Sequence, residues 1–130
     1  MNKTTFKNFL ESKEEKEILN DFEILEDGTI VVDTRKVTQL RIESILSYKP
    51  KRVIFTSKVQ VFDSLAFKNA DCLPFDFSTA TGLKEIKSKC FKDAYNVIWA
   101  TTLDDAKSSP SAFENIKIIA RYENLSNLHK

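Results

Sequence analysis

The chain contains one histidine, two cysteines and two glycines, and this scarcity limits the chemistry it can do. His129 stands one residue from the C-terminus, a poor place from which to build a histidine triad or a histidine-rich metal site. Gly28 and Gly82 lie far apart, whereas a phosphate-cradling loop or a dinucleotide fingerprint needs clustered glycines. Cys72 and Cys90 are 18 positions apart (90−72) with no Cys-x-x-Cys, so neither a redox motif nor a zinc knuckle is available. The carboxylate pairs Glu14-Glu15 and Asp104-Asp105 are adjacent in sequence, and adjacent side chains diverge in helix and strand alike. Lys84, Lys87, Lys89 and Lys92 form a basic cluster, but Glu85 and Asp93 interrupt it, as on an ordinary solvated face. The expectation is a protein with no cofactor, no metal and no enzymatic constellation.

Bulk properties point the same way. A length of 130 residues fits a single domain, and 42% hydrophobic with 30% charged residues is the composition of a folded globular chain. Twenty basic residues against nineteen acidic ones leave a net charge of +1, which removes the simplest electrostatic case for nucleic acid or an anionic membrane. No apolar run approaches a membrane span, and Met1-Asn-Lys-Thr-Thr-Phe6 lacks the apolar core of a signal peptide. A cytoplasmic location is therefore expected.

The elements that position these residues are periodic. Leu83, Ile86, Phe91, Ala94, Val97 and Trp99 each follow Val59, Phe62, Phe67, Ala70, Leu73 and Phe75 by 24 positions (83−59 through 99−75). A looser copy lies 22 positions earlier, with Val37, Leu40, Ile45, Tyr48, Val53 and Phe55 standing over Val59, Phe62, Phe67, Ala70, Phe75 and Phe77. Downstream, Ala112, Phe113, Ile116 and Ile119 follow Cys90, Phe91, Ala94 and Val97 by 22. A period in the low twenties suits one coil of a solenoid, which cannot bury its apolar face alone but does so when stacked on its neighbours. Phe67 and Phe91 should then stack, Cys90 should be buried in a small-residue column, and Cys72, between columns, should be more exposed.

The pattern L-x-x-I-x-x-x-[AC]-F-x-x-A-x-x-[LV], best at residues 83–97 and good at 59–73, resembles the BspA-type leucine-rich repeat. The chain departs from that family in having Asp63 and Lys87 where a Gly usually follows the Ile-type position, and in lacking Ile-Pro after the strand. The resemblance implies an α/β fold, a short leucine-rich-repeat solenoid of about four coils over residues 26–130. Residues 1–25 are expected to form an N-terminal helical cap of that one domain. Phe6, Phe9, Leu10, Ile18 and Leu19 recur near helical spacing over residues 4–20, and Glu11, Lys13, Glu14, Glu15, Lys16 and Glu17 cover the other side.

Asp27-Gly28 is a turn signal and should join a short strand at Ile24-Leu25 to one at residues 30–32. Further rungs are expected near residues 52–56, 74–78, 97–102 and 117–122, with short helical turns at 62–71 and 86–95. Residues 107–111 read as a widened loop. If Val53, Phe55, Phe75 and Phe77 point inward, period-two alternation turns their neighbours outward. Steps of 22 or 24 from Thr34 reach Thr56, Ser78 and Thr102, and from Val32 they reach Ile54, Asp76 and Tyr122. These two stripes are the expected partner-binding face of a protein–protein interaction module, with Tyr122 as its aromatic anchor.

Two other classes compete. The run from Val53 to Asp63-Ser64-Leu65 resembles the strand, loop and Asp-Ser that precede a helix in STAS domains, which would make Ser64 a phosphorylation switch. A small immunity- or antitoxin-type inhibitor on the same scaffold fits the length equally well. The cap reading generates its own test. Deleting residues 1–22 is expected to yield a chain that aggregates, as followed by size-exclusion chromatography. A soluble monomer with an unchanged melting curve would contradict it.

Overall fold

The computed structural model describes residues 22–122, so the expected helical cap falls largely outside the described residues. The fold is mixed α/β, with several small sheets and few helices. Strands β1 (Phe22–Ile24) and β2 (Ile30–Val32) form the expected antiparallel hairpin. Its turn places Gly28 at φ +88, and the Asp27 carboxylate accepts the Thr29 N–H at 2.9 Å. From there the pairing is parallel. β2 pairs with β4 (Val53–Phe55), which is bridged in turn to Phe75. A second ladder, wholly parallel, runs through β3 (Lys36–Val37), β5 (Val61–Phe62), β6 (Glu85–Ile86) and β8 (Lys107–Ser108). A third pair joins β7 (Val97–Trp99) to β9 (Ile118–Arg121).

Between strands the units differ in how they turn. The first uses helix α1 (Gln39–Ser47), started by Thr38, whose Oγ1 accepts the Arg41 N–H at 3.3 Å. The next two use consecutive tight turns over residues 64–69 and 88–93, without the helix the periodicity suggested. Those two turns and a third over residues 110–115 end on Asn69, Asp93 and Asn115, at φ 59, 59 and 53, spaced 24 and 22 apart. Asn and Asp enter the left-handed region at lower cost than other side-chain-bearing residues. Asn115 Nδ2 also donates to Asp93 Oδ1 at 2.6 Å, tying two of the turns together. Main-chain bonds then link whole layers: Phe67 N–H to Cys90 O at 2.8 Å, Phe91 N–H to Ala112 O at 2.7 Å, and Asn69 N–H to Lys92 O at 2.9 Å.

The core is aromatic. Phe67 and Phe91 stack as expected, their rings 4.7 Å apart and 10° from parallel, and both are fully buried. Phe62 meets Phe67 edge-on at 5.1 Å, and Phe75 does so at 5.2 Å from the other strand ladder. Phe113 continues the column at 5.3 Å from Phe91. Where the chain crosses between ladders it comes very close to itself: a Cβ on Gly82 would lie 2.0 Å from the Ser57 carbonyl oxygen, so only glycine fits.

Several expectations need correction. Val37, not Leu40, pairs with Phe62, because α1 shifts the first register to 25 residues (62−37); Leu40 is left 59% exposed on the helix. Residues 74–78 make only a single bridge at Phe75 and then a 3₁₀ turn, Phe77–Thr79, capped by Asp76. Cys72 is buried and Leu73 is 56% exposed, the reverse of the column reading. The Asp71 carboxylate accepts the Leu73 N–H at 3.1 Å, and this local turn swaps the two side chains. Residues 107–111 open with β8 instead of a wide loop, since helix α2 (Thr101–Asp105) carries the chain across. Ile119 is 53% exposed in the last unit, so its column ends before it.

Phe67→Ala and Phe91→Ala are each expected to cost about 3–5 kcal/mol, a large share of the roughly 5–15 kcal/mol that holds a small domain folded. Urea titration checks this; melting within a few degrees of the parent chain would contradict the stacked core.

Candidate functional site

The outward face of β1, β2 and β4 is built by alternation. Phe22, Ile24, Ile30, Val32, Val53 and Phe55 point into the core, and Glu23, Val31 and Ile54 face out in register. Val32 therefore leaves the expected binding stripe. Its partner across the ladder is Phe55, a step of 23 residues (55−32) instead of 22, and the odd step moves it to the opposite face. Val31 takes its place beside Ile54, and both are half-buried.

The other stripe residues divide into two groups. Ile54, Asp76 and Tyr122 lie in one neighbourhood. Asp76 Oδ2 accepts from Arg52 Nη2 at 2.9 Å, and this bond is the main reason the guanidinium is held above its usual pKa. The Tyr122 phenol adds a smaller electrostatic contribution to Arg52, and Tyr122 is 38% exposed. The hydroxyl stripe instead serves the fold. Thr56 Oγ1 donates to Asp33 Oδ1 at 2.7 Å, and Thr102 Oγ1 to the Phe77 carbonyl at 2.6 Å. Ser78 donates both its N–H and its hydroxyl to Asp76 Oδ1. Thr34 is half-buried. The Thr56, Ser78 and Thr102 hydroxyls are each already bonded within the chain, the Thr56 pair at the surface.

Ser64 occupies a turn, with Leu65 at φ 65 directly after it, and the helix that a STAS switch requires does not follow. Its hydroxyl sits 3.2 Å from that of Ser88, one layer on. Lys87 lines the shallow hollow of about 420 Å³ shared by these serines and Ser108. Trp99, expected in the core, is half-buried: its indole N–H donates to Asp104 Oδ1 at 3.0 Å, and its ring meets Phe113 edge-on at 4.9 Å.

Sequence reasoning missed a groove of about 670 Å³ on the edge where the turns meet the strands. Leu46, Pro50, Leu73, Pro74 and Tyr95 form its apolar surface, and Lys49 and Lys51 stand on one rim. The only local signal was a turn tendency in Asp71-Cys-Leu-Pro74, since an Asp side chain can bond the backbone two residues on; it does not tell which side chain faces outward. Tyr95 is anchored below it by bonds from its N–H to Ala70 O and from the Cys72 N–H to its own carbonyl.

Both thiols are buried and free, and loss of solvent raises each above the ordinary thiol range, with Asp71 adding to the effect at Cys72. A raised pKa withholds the thiolate that nucleophilic and metal chemistry need. Among the described residues no helix is long and apolar enough to cross a membrane. No protein-family model, curated protein or solved structure matches the chain.

The cysteines supply the test of this geometry. At mildly alkaline pH, iodoacetamide is expected to leave Cys72 and Cys90 unmodified in the folded protein and to alkylate both in urea, as read by mass spectrometry. Rapid native labelling at Cys72 would contradict its burial.

Proposed function

We propose that this chain is a non-enzymatic protein-binding module, built as a short leucine-rich-repeat-type solenoid of about four coils. The observation that carries the reading is the recurrence of one layer-to-layer bonding scheme, in which equivalent residues 22 to 25 positions apart pair in parallel at β3–β5–β6–β8. Stacked coils expose a regular outer surface, and binding specificity resides in the side chains that alternate with the core columns. The face that best fits a partner holds Val31, Ile54, the Arg52–Asp76 pair and Tyr122, an apolar centre beside a polar rim. An enzymatic role finds no support in thiols that burial keeps protonated. The same two free thiols suit a reducing compartment such as the cytoplasm.

Affinity capture with the full chain as bait, followed by mass spectrometry, tests the reading. Ile54→Arg is expected to abolish recovery of the specific partner without lowering the melting temperature. Charge reversal at Lys87, just after β6, and at Lys92, in the turn over residues 88–93, is expected to leave recovery intact. Loss with the lysine variants alone would move the site to the basic face.

A further inference from the structure

The groove between the turns and the strands differs from the sheet face in shape and charge. Leu73 is 56% exposed and Tyr95 42%, although the backbone of Tyr95 and of Cys72 and Pro74, on either side of Leu73, is bonded across layers. Pro50 and Pro74 form part of the walls, so the surface is held in shape before anything binds. Two of the three charged residues in its lining are lysines. Lys49 and Lys51 form no ion pair among the described residues, although Glu26 and Asp27 lie with them around the adjoining hollow, and nearby Arg52 is committed to Asp76. The one carboxylate in the lining, Asp71, is engaged with the fold: its Oδ1 accepts from the Leu73 N–H and from Asn96 Nδ2, each at 3.1 Å.

We propose that this groove docks an acidic peptide segment of a partner protein, an apolar side chain entering between Leu73, Pro74 and Tyr95 while flanking carboxylates meet Lys49 and Lys51. The proposal rests on the binding-module reading and names a second surface for it. An exposed tyrosine and leucine beside unpaired cations give both halves of such a site: apolar anchors that release water, and charges that select and steer the ligand. A basic peptide would bring its charges against the two lysines, and a purely apolar one would leave them unanswered.

The probe is a short fluorescent peptide, Leu-Phe flanked on each side by glutamates, titrated against the full chain by anisotropy. Binding is expected to saturate and to weaken as salt rises. A twin peptide with lysines in place of the glutamates is expected not to saturate. Leu73→Asp and the double variant Lys49→Glu/Lys51→Glu alter exposed side chains and are expected to keep the parent melting temperature while losing affinity at least about tenfold. Equal binding of the two peptides, or parent-like affinity in the variants, overturns the proposal. So does lysine-dependent sedimentation with phosphatidylserine vesicles in place of peptide binding, which would assign the rim to a lipid surface. Ile54→Arg is the control and is expected to leave peptide affinity unchanged. Failure of the peptide with partner capture intact on the sheet face retires the groove alone; failure of both retires the module reading as well.

Discussion

Phe67 and Phe91 lie face to face at 4.7 Å, and every layer of the described chain is arranged so that this contact and its neighbours can form. Two rings can stack across layers only if the backbones carrying them are held in parallel at close spacing. The Phe67 N–H to Cys90 O bond supplies that spacing beside the rings, and the strand ladders supply it elsewhere. The small residues Ala66 and Cys90, both buried, leave room beside the phenylalanines. Dispersion and burial here reinforce the backbone bonds, because a shift in one row would misalign the others.

This dependence explains which features could be read from sequence. Residues whose side chains enter the stack recur at a fixed offset because their counterparts meet physically, so Phe62, Phe67, Phe91 and the Asp27-Gly28 hairpin were legible before any coordinates. Outward positions carry no such constraint. The Val32 error came from a single residue of register, 23 instead of 22, and strand alternation turns one residue into a change of face. The inversion at Cys72-Leu73 arose from a hydrogen bond of the Asp71 side chain to its own backbone, which a count of apolar columns does not register. Helix α1 was hidden because its inward residues, Ile42 and Ile45, share only part of the repeat pattern.

The candidate site was less legible than the fold for a related reason. Hydroxyls read as a ladder for partners are consumed internally, with Thr56, Ser78 and Thr102 closing turns and joining layers. The groove that does present apolar surface is made from residues of separate units: Leu46 and Pro50 from one, Leu73 and Pro74 from the next, Tyr95 from the third. No contiguous motif encodes such a surface. It becomes visible only when the layers are stacked and the Asx turn has rotated Leu73 outward.

The even spacing of the layers has an energetic consequence. Parallel strand pairs here join residues from 21 apart (118−97) to 25 apart (62−37). Loop closure entropy grows only with the logarithm of loop length, so adding each layer costs nearly the same amount, with no distant strand to be searched for. What differs between layers is the reward. The unit pair containing Phe62, Phe67, Phe75, Phe77 and Phe91 gains the most aromatic contact on closing. Closing residues 61–94 therefore brings together more aromatic surface than closing either end, so the contacts formed there contribute the most per residue fixed.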